Sequence, residues 1–336
     1  MPEVQTTDIA HEVQPTEAKT QIAAVVYNPI KIEIDALKAT MAADEATADW
    51  EVLWFETSEE DPGQGQTREA IEAGASVVLA AGGDGTVRAV AEIVKDSKAS
   101  LALLPSGTGN LLARNLALTL DDLPNAIHTA FAGKDRPIDV AVADIRRKDN
   151  SIDRHAYLVM AGFGLDAKML ANTDPDLKKK AGWLAYAKAI VATLRDKNVL
   201  RFRYTLDNER PRSIRAHTII IGNCGSLPAN ILLLPDAAVD DGEFDIIILK
   251  PESFLGWVQI LTKIFWENGI VKRTKLGKKL ATKEIDALNY KRGTKLTMRL
   301  DQPDEIELDG DGFGVAIGLR TWIEPGALAV RVPQDS

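Results

Sequence analysis

Two glycine-rich turns carry the residues best suited to chemistry. Gly82-Gly83-Asp84-Gly85-Thr86 follows the apolar run SVVLAA and precedes VRAVAEIVKD, which reads as a helix. Pro105-Ser106-Gly107-Thr108-Gly109-Asn110 follows SLALLP and precedes the helical LLARNLA. Glycines where a buried strand becomes a helix let backbone N–H groups come close to a phosphate, and the helix N-terminus adds a favourable dipole. Thr86, Ser106 and Thr108 add hydroxyls. Asp84 is the odd member, since a carboxylate repels phosphate. It fits a residue that holds a metal ion, orients a neighbour or handles a proton. Alone, the first loop also reads as a tight turn with an aspartate cap. The second loop repeats its plan, and Asn28-Pro29 and Thr57 close two other strands, so together they read as a nucleotide pocket. Neither loop has the Gly-Lys-Ser or Gly-Lys-Thr of a P-loop, and neither is a GxGxxG fingerprint.

These turns need a scaffold. Strands IAAVVY, EVLWFET, SVVLAA and SLALLP alternate with helical segments IEIDALKATMAADEATA, TREAIEAGA and VRAVAEIVKD. Alternation of this kind predicts an α/β layer with a parallel sheet, whose loops at the carboxyl ends of the strands line one crevice. After Pro137 the pattern changes. IDVAVADI, RHAYLVMAG, RFRYTLD, AHTIIIGN, FDIIILK, TKLTMRLD, DEIELDGD and VAIGL read as strands, interrupted by helices over 177–197 and 253–269. The second region is therefore predicted to be a mostly antiparallel β-sandwich. The expected divisions are a disordered leader over 1–19, an α/β domain over 20–136, and a sandwich over 137–320, with 321–334 returning to the first domain.

Composition limits the functions available. At 336 residues the chain is long enough for two domains or one large one, and with 45% hydrophobic and 26% charged residues it has ample apolar material for a sizeable core. Forty basic against 49 acidic residues give a net charge of −9, which argues against nucleic-acid binding by bulk charge. The one cysteine, Cys224, allows no internal disulfide and suits a reducing cytoplasm. It reads as a small buried side chain rather than a nucleophile. Scattered histidines suggest no zinc site, and no apolar run is long enough to span a bilayer.

In order along the chain, Asn28-Pro29, GGDGT (82–86), PSGTGN (105–110), Ile138-Asp139, GFGLDA (162–167), the DDGxxD element Asp240 to Asp245, LDGD (308–311) and PGALAVRVP resemble the signposts of the diacylglycerol kinase catalytic-domain family. That family of lipid kinases also includes sphingosine and ceramide kinases. The resemblance runs from Ile22 to Pro333. It implies a two-domain lipid kinase fold whose first domain is like that of NAD kinases and phosphofructokinases, with ATP in the cleft between domains. It implies ATP contacts from Asn28, Pro29, Thr57, Gly82, Gly83, Asp84, Gly85, Thr86, Val87, Arg88 and Thr108. It further implies a structural Mg²⁺ at the DDG turn, on the Asp241 carboxylate with carbonyls near Ala238 and Glu243. It also implies an aspartate network through Asp84 and Asp139, and a proton acceptor at Asp309 or Asp311. Two departures stand out. Asp311 replaces the glutamate of the family's DGE, and NPIKIEI lacks the Ser-Gly-rich continuation after Asn-Pro.

Phosphoryl transfer needs positioning, charge neutralisation and an oriented hydroxyl. The glycine loops, Mg²⁺ with ATP, and a carboxylate at position 309 or 311 would supply these in turn. By itself LDGDG reads equally as a hairpin turn. A lipid acceptor calls for membrane contact. Phe254, Leu255, Trp257, Ile260, Leu261, Ile264, Phe265 and Trp266, followed by Lys272, Arg273, Lys275, Lys278 and Lys279, suit an anionic surface. The same apolar segment also suits a core helix. Lys178 to Lys180 read as a second contact or as a solvated helix start. The expectations are thus a cytoplasmic lipid kinase with peripheral membrane contact, no nucleic-acid partner, and a homodimer left open. An NAD-kinase-like enzyme and a non-catalytic nucleotide- or lipid-binding protein are the competing readings.

Overall fold

The computed structural model describes residues 21–106, 109–164, 199–227, 231–250 and 288–336. The expected leader over 1–19 and helices over 177–197 and 253–269 lie outside them, as do Gly107, Thr108, Lys178 to Lys180 and the aromatic and basic segments over 254–279.

The first part of the chain runs β1 (Gln21–Tyr27), α1 (Ile34–Ala42), β2 (Trp50–Glu56), α2 (Gln64–Glu72), β3 (Val77–Gly82), α3 (Asp84–Val94) and β4 (Ser100–Pro105). Two helices, α4 (Leu111–Asn115) and α5 (Leu123–Ala132), complete it. The strands lie parallel in the order β2-β1-β3-β4. β3, β4 and the middle of β1 are buried on both faces, as continuous apolar strands require, while the edge strand β2 is only partly buried. Ala24, Val26, Val78, Ala80, Leu101 and Leu103 pack on one side with Val90, Ala91 and Val94 of α3. Ala23, Val25, Val77, Leu79, Ala81 and Leu104 pack on the other with Leu37 of α1 and Ile127 of α5.

The remainder is β5 (Lys134–Arg146), β6 (Ile152–Tyr157), β7 (Met160–Phe163), β8 (Leu200–Leu206), β9 (Arg212–Ala216), β10 (Thr218–Gly222), the short β11 (Ser226–Leu227) and β12 (Ile231–Leu232), β13 (Phe244–Leu249), β14 (Leu288–Gly293), β15 (Lys295–Leu308) and β16 (Asp311–Val332). One antiparallel run is β14-β13-β10-β7-β15. The early half of β15 pairs instead with β8, which pairs with β9. Phe202, Tyr204, Leu296 and Met298 thereby meet Ile219, Ile221, Phe244 and Ile246 in the sandwich core. β16 pairs with β15 and β5, and its Val330 lies in parallel register with Leu101 of β4.

Three segments depart from the sequence reading, each for a local reason. RHAYLVMAG, expected as one strand, divides into β6 and β7 because the N–H groups of Leu158 and Val159 turn to the Asp309 carboxylate. AHTIIIGN divides at His217, where the chain leaves β8 for β13 and β7. TKLTMRLD and DEIELDGD form the single strand β15, whose register shifts between Arg299 and Asp304. Pro303 falls in that irregular stretch, where a missing N–H costs no ladder bond. Likewise VAIGL and ALAVRVP join in β16, with a bulge between Glu324 and Leu328.

Candidate active site

The ends of β1, β3 and β4 meet through their turns. Asn28 donates its N–H to the Ala81 carbonyl at 3.0 Å, and its own carbonyl accepts from Lys31 and Ile32 at 3.1 Å each. Its Oδ1 accepts from the Ile30 N–H at 2.9 Å, so Asn28-Pro29 closes a turn without the Ser-Gly continuation. Ser106 then joins all three strand ends. Its N–H donates to the Gly82 carbonyl at 3.2 Å and its hydroxyl to the Lys31 carbonyl at 3.0 Å. Thr57 is buried at the end of β2 and donates its N–H to Tyr27 at 2.9 Å.

Gly82, Gly83, Gly85 and Gly109 each have a definite neighbour in the space a Cβ would occupy. At Gly82 it is Thr86 Oγ1, 2.7 Å away. At Gly83, the N-cap of α3, it is the Lys31 ammonium at 2.5 Å, and at Gly85 it is Asp311 Oδ2 at 2.8 Å. At Gly109 the neighbour is the Asp84 carboxylate. A cation and a carboxylate therefore flank the N-terminus of α3, and only glycine lets them approach it. The Val87 N–H is used within the helix, donating to Gly83 at 3.0 Å.

Asp84 opens α3, and its Oδ1 accepts the Leu111 N–H at 2.6 Å. Burial raises its carboxyl above the usual range. The N–H bonds from Leu111 and Asn110 and the charge of Lys31 oppose the shift, while the Asp311 charge adds to it. Asn110, buried and left-handed at φ 50°, is the N-cap of α4. Asp311 keeps about half its side chain exposed and lies 3.4 Å from Nη2 of the buried Arg88. That guanidinium stacks on Phe313, 4.4 Å from the ring centroid.

Asp309, two residues before Asp311, is buried with φ 51°. Its Oδ1 accepts from Val159 at 2.8 Å and Met160 at 3.0 Å, and its Oδ2 from Leu158 at 2.9 Å. Burial pushes its carboxyl up to about 6, against the pull of those N–H groups and Arg88. Between the two aspartates the sequence left open, Asp309 has both oxygens engaged, whereas Asp311 is half-exposed beside Gly85 and Arg88.

Asp84 and Asp139 accept from different elements. Asp139 takes the Gly242 N–H at 2.6 Å and the Gly326 N–H at 2.8 Å. The expected structural Mg²⁺ does not fit the DDG turn as it stands. Asp241 Oδ1 accepts the Glu243 N–H at 3.1 Å, and its Oδ2 meets Arg292 Nη2 at 3.2 Å. The guanidinium also reaches the Glu243 carboxylate, at 3.7 Å, so the one side-chain ligand expected for the metal, the Asp241 carboxylate, already shares a cation with its neighbour. Ala238 lies partly buried in the same turn. Lys31 and Arg292 escaped the sequence reading. Lys31 was signalled only by a basic residue in the Asn-Pro turn. Arg292 faces Asp245 across the β13–β14 ladder, a pairing invisible without the fold.

Comparisons with known proteins agree with this architecture. Residues 23–143 match the diacylglycerol kinase catalytic domain, and residues 158–332 match the YegS C-terminal NAD kinase beta sandwich-like domain. A Pseudomonas aeruginosa protein named "Probable lipid kinase YegS-like" is 30% identical over 271 residues, 80% of each chain. A similarly named protein of Pseudomonas syringae pv. tomato is 30% identical over 298 residues, 88% of each. Among solved structures, a diacylglycerol kinase from Bacillus anthracis superposes with a TM-score of 0.64 at 16% identity, covering 93% of this chain and 96% of that one. An NAD kinase from Archaeoglobus fulgidus in complex with ATP gives 0.50 at 10% identity, covering 94% and 95%. At such identities the structures share the fold.

Proposed function

Since the chain belongs to the diacylglycerol kinase catalytic-domain family, in its YegS-type form, and is a lipid kinase, we propose that it transfers the γ-phosphoryl group of ATP to a lipid hydroxyl, with Asp311 receiving the hydroxyl proton. One observation carries this reading: Lys31 and Asp311 flank the N-terminus of α3, each against a glycine. The N–H groups of the first turn and the dipole of α3 favour phosphates, and the Lys31 ammonium beside Gly83 adds to this. Asp311, half-exposed beside Gly85 and oriented by Arg88 at 3.4 Å, is free to meet an incoming alcohol. Asp309 serves as a positioning residue, fixing the turn on which Asp311 is mounted.

ATP arrives with Mg²⁺ as part of the substrate. Asp84, the first residue of α3 and within electrostatic reach of Asp311 and Lys31, would be the carboxylate to hold the cation. When bound, the cation neutralises charge on the phosphates undergoing transfer. Among the described residues, no helix is long and apolar enough to cross a membrane. Contact with the bilayer by the aromatic and basic stretches over 254–279 rests on their composition.

The test is transfer of label from γ-labelled ATP to lipids extracted from membranes, with NAD as a soluble competitor. We expect label in the lipid phase, and a loss of about 10²–10⁴-fold in Asp311→Asn with an unchanged melting temperature. Label in NAD alone, or full activity in both Asp84→Asn and Asp311→Asn, overturns the proposal.

A further inference from the structure

The DDG turn concentrates negative charge. Asp241, Glu243 and Asp245 follow one another closely, with Asp236 just before. Arg292, in register with Asp245 on β14, reaches all of them. Its Nε lies 3.3 Å from Asp245, Nη1 3.7 Å from Glu243, and Nη2 3.2 Å from Asp241 and 2.6 Å from the Asp236 carbonyl. Asp240 turns away to a different cation, Arg136, at 2.7 Å. A guanidinium offers five donors in a rigid fork, so one side chain satisfies a set of oxygens that converge from several directions. A magnesium ion requires near-octahedral oxygen ligands at close range. Here it would have to expel Arg292 and leave that charge beside it.

We propose that Arg292 stands in the place of a bound divalent cation, so that the DDG turn of this chain is held by a guanidinium and keeps its shape without metal. The inference rests on the turn itself and is independent of the lipid kinase reading. Its consequence reaches the seam between the domains, because the same turn donates the Gly242 N–H to Asp139, which also holds Gly326 of β16. Arg292 is thus a positioning residue for that seam.

The experiment uses the full chain free of nucleotide. Thermal unfolding is followed in EDTA and then with MgCl₂ or CaCl₂. For wild type we expect a shift of less than about 1 °C between these conditions, and no saturable heat on titration with Mg²⁺. Arg292→Met should melt about 3–6 °C lower in EDTA and regain most of that loss with either cation. Adding Asp241→Asn should abolish the recovery. Three results would each overturn the proposal: a wild type destabilised by EDTA, an Arg292→Met that melts like wild type, or a lowered Arg292→Met that neither cation lifts. If Arg292→Met does not accumulate, the wild-type measurements decide alone: no shift in EDTA and no saturable heat with Mg²⁺ support the proposal, and either effect overturns it.

Discussion

At Asp309 two effects act on one carboxyl in opposite directions. Three N–H groups favour its charged form, but burial favours the neutral one and wins, placing its titration at about 6 against 3.8 in the unfolded chain. The folded state therefore holds the proton more tightly. Its stabilising share is complete below about pH 4 and is lost as pH rises through about 6, a change of about 3 kcal/mol. Asp309→Asn cannot titrate, and its amide turns a donor toward a backbone donor. The variant should be less stable than wild type, and the gap should narrow as pH rises from about 4.5 to 7.5 in denaturant melts. A gap that widens with pH contradicts the assignment. Lys31 gives a second expectation at this scale. Its ammonium is exposed beside Gly83, so Lys31→Met should raise KM for ATP by about tenfold and change kcat less. An unchanged KM would remove Lys31 from the phosphate site.

The N-terminus of α3 is the element on which the site turns. Gly85 sits in its first turn, where alanine would favour the helix by up to about 1 kcal/mol. A Cβ there would lie 2.8 Å from Asp311 Oδ2, so Gly85→Ala should push that carboxylate aside. We expect a melting temperature equal to wild type or higher, together with a kcat reduced on the order of 10²-fold. Full turnover in this variant would show that Asp311 need not stand against α3. The same element shows what the sequence disclosed. Strand, glycine turn and helix were legible from local pattern, because glycine type and apolar periodicity are local properties. The partner of each glycine was not, since Lys31 and Asp311 arrive from distant parts of the chain. Nor did LDGD reveal which aspartate is half-exposed and which is buried. That depends on the left-handed backbone of Asp309 and on the break between β6 and β7 that its carboxylate creates.

Across the whole molecule, β16 makes the two domains depend on each other. It bonds to β15 of the sandwich, to β5 along most of its length, and to β4 of the parallel sheet. Neither layer can lose this strand without exposing its own backbone groups, which is costly wherever they are buried. Asp139 strengthens the tie, since one buried carboxylate holds both the DDG turn and the bulge at Gly326. The two domain patterns were visible as a change from helix-strand alternation to successive strands, but their coupling through one long strand was not, because the sequence divides it into two apolar runs around Pro325-Gly326. The coupling predicts a single unfolding transition, with calorimetric and van't Hoff enthalpies in agreement despite the chain's size. Asp139→Ala leaves two backbone donors without their charged acceptor and should cost about 3–5 kcal/mol. Because β16 still spans both layers, that variant should unfold in one step at lower denaturant with an unchanged m-value. If wild type melts in two resolved steps, β16 does not couple the domains; if only Asp139→Ala splits the transition, the Asp139 contacts and not β16 couple them.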